Sequence, residues 1–158
     1  MVFSGIDDTK FVFRSQPKPI PGDLRPLWRI GAILLMLKLA SWGDKSTLGR
    51  LHVLNWAIRT QENRKQLQEV IAKNITPDTI IVRVEPSLNR AIDFARGEGL
   101  IESLSGNRVH LTPNGKRAAN KLLTQNDLFK NERQFLQEIG KTGLTEKTVK
   151  ALFSGKRI

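Results

Sequence analysis

Two side chains are well shaped to read base edges in a nucleic acid. Arginine offers paired donors to guanine and asparagine pairs with adenine. Between Pro86 and Arg96 the chain sets Ser87, Asn89, Arg90, Asp93 and Arg96 on one side of a predicted helix. Leu88, Ala91, Ile92 and Ala95 recur at i, i+3, i+4 and i+7 and make the opposite, apolar side. Asn107 and Arg108 follow at a tight turn, and Lys116, Arg117 and Lys121 fall on successive turns of a later helix. Those cations suit phosphate oxygens, which position a protein on a duplex without reading its sequence. Asp93 is a poor neighbour for a phosphate. A solvated helix face accounts for the same residues equally well.

Catalytic chemistry finds little material. His52 lies in an apolar stretch and His110 in a short β-prone one, and neither has a sequence neighbour to orient it. There is no cysteine, and no pair of histidines or carboxylates has metal-ligand spacing. Ser154-Gly155-Lys156-Arg157 lacks the glycine-rich loop that cradles phosphates. The expectation is a protein without catalytic residues, metal or cofactor.

Charge points outward, to partners. The 158 residues carry 26 Lys plus Arg against 15 acidic groups, a net charge of +11. Such an excess favours an anionic partner, either nucleic acid or an acidic protein surface. Residues 1–60 hold 9 basic and 4 acidic groups, 61–100 hold 6 and 6, and 101–158 hold 11 and 5. The helix carrying Asn89 and Arg90 therefore lies in the neutral block. That pattern favours backbone or protein contacts over dense base reading.

The elements that position these residues are legible from spacing. Residues 1–22 read as an N-terminal arm, with Phe11-Val12-Phe13-Arg14 as a short strand and Gln16–Gly22 as a proline-rich connector. Asp23 caps a first helix reaching about Ser41, with Pro26 in its first turn. Its apolar residues run nearly all the way round, so burial on most faces follows. An added arm, a partner chain, a second copy or an ordinary core can supply the cover. Phe11, Phe13, Leu27, Trp28 and Leu35 are the residues expected to meet a partner.

Trp42–Lys45 reads as a turn, 47–60 as a second helix and the stretch from Asn63 as a third. Ile80–Val84 is β-branched and reads as a strand. Then come helix 86–96, strand 100–104, the turn Ser105-Gly106-Asn107, strand 108–111 and a helix capped by Thr112. Leu128, Phe135, Leu136 and Ile139 make a further helical stripe ending at Gly140, and Thr145 caps a last short helix.

Gly99-Leu100-Ile101 at the entry to the first strand, and Leu111-Thr112-Pro113-Asn114-Gly115 after the second, resemble the winged-helix superfamily. The string Leu88-Asn89-Arg90-Ala91-Ile92 fits its recognition helix. The resemblance implies a mainly α fold with a small β wing: a winged helix-turn-helix domain over 23–124, the arm over 1–22, and a C-terminal helical extension over 125–158. It is a fold-level signal and does not fix function. The overall order of arm, apolar helix, paired helices, winged helix and basic tail resembles the small middle component of bacterial ABC three-component conflict systems. These include Lamassu-type antiphage systems.

That resemblance implies a non-enzymatic bridging subunit, with an SMC-like ATPase and an effector nuclease as partners and DNA-backbone contact in addition. The alternative is a free-standing winged-helix transcription regulator. An RNA-binding accessory is disfavoured, because the chain has no tyrosine and its Trp and Phe residues fall mostly on apolar faces. The longest apolar run, Ile30–Leu37, is shorter than the roughly 20 residues that span a bilayer. With no cysteine and no basic-then-apolar leader at Met1, a cytoplasmic protein is expected.

Overall fold

A computed structural model describes residues 26–154. The expected strand 11–14, the connector 16–22, the cap Asp23 and the partner residues Phe11 and Phe13 lie outside them. The described chain is mainly helical, with one small three-stranded antiparallel sheet.

Helix α1 (Pro26–Leu39) is the centre of the molecule. Ile30, Ile33, Leu34, Leu35, Met36 and Leu37 have no exposed surface. Helices α2 (Leu48–Ile58), α4 (Pro86–Gly97), α5 (Pro113–Leu123) and α6 (Lys130–Gly143), with strand β3 (Arg108–Leu111), all touch α1. Its apolar circumference is thus met by elements of its own chain. This corrects the expectation for Leu35, which is not available to a partner. Leu27 and Trp28, nearer the helix start, are half-buried, and Trp28 packs against Phe129.

A 3-10 turn at Trp42–Asp44 leads into strand β1 (Lys45–Thr47), where only a turn was expected. Three residues are too few to show an alternating pattern. Thr47 then caps α2, its Oγ1 accepting from Arg50 N at 3.2 Å. Every residue of α2 from Arg50 to Ile58 is buried. Helix α3 (Gln61–Ile71) starts earlier than Asn63, because Thr60 Oγ1 accepts from Asn63 N and caps it.

The stretch expected as strand 80–84 is extended but joins no ladder. Ile80 and Val82 point into the core, while Ile81, Arg83 and Val84 are exposed. The β-branched composition led to a strand; a paired neighbour is missing among the described residues.

Strand β2 (Ile101–Leu104) pairs with β3, Ile101 opposite Leu111 and Leu104 opposite Arg108. Strand β1 pairs with the other edge of β3, giving the order β1-β3-β2. In the turn between β2 and β3, Gly106 and Asn107 take φ of 74° and 55°. Glycine and asparagine are the residues that tolerate such angles.

The two glycine motifs meet at one junction. Thr112 N donates to Leu100 O at 3.0 Å, and Thr112 Oγ1 donates to Gly99 O at 2.5 Å. The same hydroxyl accepts from Gly115 N at 3.0 Å and caps α5. A Cβ on Gly115 would overlap the Leu100 carbonyl, so only glycine fits there.

The C-terminal helices are not an appendage. Phe129, Phe135, Leu136, Ile139, Leu144, Val149 and Leu152 belong to the same core as α1. The helical stripe of α6 ends at Gly140, as its spacing predicts: φ of 70° and ψ of −179° are non-helical there, and a second short helical piece follows across the kink to Gly143. Thr145 Oγ1 accepts from Thr148 N at 3.2 Å, at the start of α7 (Glu146–Ser154).

Candidate docking and nucleic-acid surface

Helix α4 carries most of the candidate residues, and two polar rungs tie it to α2. Glu85 precedes α4, and its Oε1 accepts from Asn55 Nδ2 at 3.1 Å. Its other oxygen pairs with Arg59 and lies 4.0 Å from Arg29 Nη2. Arg29 is buried, donates to Asn55 Oδ1 at 2.6 Å, and lies 5.7 Å from the Trp28 ring. One carboxylate therefore gathers two guanidiniums and an amide, and it helps offset the burial of Arg29.

The second rung is one turn further along. His52 Nε2 lies 3.1 Å from Asn89 Oδ1. With the amide oxygen accepting, the imidazole carries its proton on Nε2. His52 is buried, and its Nδ1 has no partner among the described residues. Burial pulls the imidazole below its ordinary value; the Asn89 bond and the charge of Glu85 oppose that pull. His52 is thus a neutral core histidine that orients a surface amide. His110, on the sheet, lies 3.3 Å from Glu102.

The remaining candidates are dispersed. Ser87 is half-buried and Arg90 exposed on α4. Arg96 pairs with Asp93 at 2.9 Å, one turn apart on the same helix. Arg108 Nε donates to Ser105 O at 3.0 Å, which folds this arginine back onto the turn. Asn107 is exposed, but its carbonyl accepts from Leu48 N at 2.9 Å. The turn is thereby tied to the start of α2 and does not project freely. Lys116, Arg117 and Lys121 are exposed on α5, with Arg117 bonded to Asn114.

Sequence reasoning missed three features. Glu85 and Asn55 gave no signal, because the residues that meet there are far apart in the chain. Trp42 is 70% exposed at the turn after α1, and Ile81 is 69% exposed before α4. Between α3 and α6 lies an open groove of about 410 Å³, lined by Gln61, Lys65, Gln68 and Gln134 among others. Among the described residues, no group of three or more His, Asp or Glu side chains could hold a metal ion. No helix among them is long and apolar enough to cross a membrane.

No protein-family model, curated protein or solved structure matches the chain.

Proposed function

We propose that this chain is a non-enzymatic docking subunit of winged-helix type. In this reading it bridges an SMC-like ATPase and an effector nuclease in an antiphage assembly, and its exposed cations add contact to the DNA backbone. The partner class comes from the resemblance of the sequence order. The docking role is supported by one observation about the surface. Asn89, Arg96, Arg108 and Arg117 have their polar ends engaged by His52, Asp93, Ser105 and Asn114 of the same chain. Ile81 and Val84, just before α4, and Phe94, on α4 itself, expose apolar surface. A base-reading face needs free donors and acceptors. A docking face needs apolar anchors within a polar rim.

Co-expression with the SMC-like ATPase and the nuclease, followed by mass measurement of the purified species, tests this function. The expected result is one complex containing all three chains. Recovery of this chain alone, as a monomer that retains neither partner, overturns the proposal.

A second reading, a free-standing winged-helix DNA regulator, draws on the strand order β1-β3-β2, with α4 leading into β2. It requires a sequence-specific shift of duplex DNA that Arg90→Ala abolishes.

A further inference from the structure

Ile81–Val84 has the β-branched composition of a strand and runs without a turn or bend, yet among the described residues no strand pairs with it. Ile81 is 69% and Val84 53% exposed, whereas Ile80 and Val82 are buried. Among the described residues, none of the backbone N–H or C=O groups of Ile81, Val82, Arg83 and Val84 bonds to another segment. The two ends are held. The 3-10 turn Pro77–Thr79 packs on α7, and Glu85 is fixed by Asn55 and Arg59. An extended backbone with unmet hydrogen-bonding groups is a template for another extended chain. Anchoring at both ends means that little ordering entropy remains to be lost when such a chain adds.

We propose that Ile81–Val84 receives an extended acidic segment of a partner protein by strand addition. Charge selects the partner. Arg83 and Arg90 are exposed and have no carboxylate partner among the described residues. The two acidic groups nearest them in sequence are engaged: Glu85 by Arg59, and Asp93 by Arg96. A second copy would bring a chain of net charge +11, and its own Arg83, against this edge. Like charges placed opposite one another across strands are destabilising. Carboxylates alternating with β-branched residues supply the complement: an anion opposite Arg83 on one face, an apolar side chain beside Val84 on the other, and main-chain bonds along the edge.

This inference rests on the docking reading and gives it a chemistry. It is tested with the full chain, isotopically labelled, by amide hydrogen exchange. The probe is a terminally blocked heptapeptide of alternating valine and aspartate; the control alternates valine and lysine. At about millimolar peptide, amides within 81–84 are expected to slow by roughly tenfold or more with the acidic probe alone. Arg83→Glu, an exposed substitution, is expected to reverse the preference toward the lysine peptide.

Four results overturn the proposal. They are amides in 81–84 already protected in the free protein, equal protection by both peptides, protection confined to another surface, and no protection at all. Protection by the acidic peptide in a protein that retains neither the ATPase nor the nuclease would reject the assembly and leave the strand-addition site standing. Retention of both partners without protection would do the reverse.

Discussion

His52 Nε2 lies 3.1 Å from Asn89 Oδ1, and three residues further along α2 Asn55 Nδ2 lies 3.1 Å from Glu85 Oε1. Residues 52 and 55 of one helix thus meet residues 89 and 85 at the start of another. These two rungs set the rotation of α4 and decide which of its side chains face outward. The surface proposed for docking is therefore held by polar contacts reaching into the core.

The first prediction concerns pH. Burial lowers the His52 value below the ordinary 6.5, so the folded chain holds the imidazole neutral where the unfolded chain takes up a proton. Stability from this group is unaffected above about pH 6.5 and is lost as pH falls from there toward the depressed folded value. Urea unfolding from pH 7.5 to 5 should show that loss. His52→Gln, which carries no titrating group, should flatten this part of the profile while costing about 1 kcal/mol at pH 7.5. An unchanged profile in the variant would remove His52 from the account.

Glu85 compensates a buried cation. Glu85→Ala removes the acceptor for Asn55 and the counter-charge for Arg59 and Arg29. It is expected to destabilise the fold by about 3 kcal/mol, since Asn55 loses an acceptor and the Arg29 and Arg59 guanidiniums lose their shared carboxylate. Glu85→Gln keeps an oxygen for Asn55 and should cost less. Denaturant midpoints compare the two.

Gly115 is the tightest contact at the sheet-to-α5 junction. Gly115→Ala drives a methyl group into the Leu100 carbonyl and should cost more than about 3 kcal/mol. Gly97→Ala is the control, because a Cβ there meets nothing within 4 Å. That change should be close to neutral or slightly stabilising by thermal melt.

That junction also shows what was legible in the sequence. Thr112 and Gly115 lie three residues apart, and both their spacing and their partners Gly99 and Leu100 are local, so pattern reading found the turn, both strands and the helix after them. Helix α1 was equally plain, but its neighbours were not. Whether a chain of 158 residues can surround one helix depends on where later helices return, and α6 starts more than ninety residues after α1 ends. Leu35 was misassigned for that reason. Ile80–Val84 has the β-branched composition of a strand, and composition reports a preference for extended backbone, not the presence of a paired neighbour. Of the candidate site, exposure on α4 and α5 was readable. The engagement of Asn89 by His52 was not, because it joins residues 37 positions apart.

DNA contact, in this account, is backbone contact. Arg90→Ala and Lys116→Ala should each weaken binding to duplexes of unrelated sequence alike. Each should also reduce the slope of log affinity against log salt by about 0.9. Fluorescence anisotropy across a salt series measures both. A loss restricted to one sequence would favour the regulator reading instead.

The central claim is that this chain docks proteins and performs no chemistry of its own. Its most direct test is mass measurement of the species purified after co-expression with the SMC-like ATPase and the effector nuclease. The account predicts a single complex retaining all three chains. A free monomer of this chain, with the ATPase and nuclease eluting without it, would contradict the account.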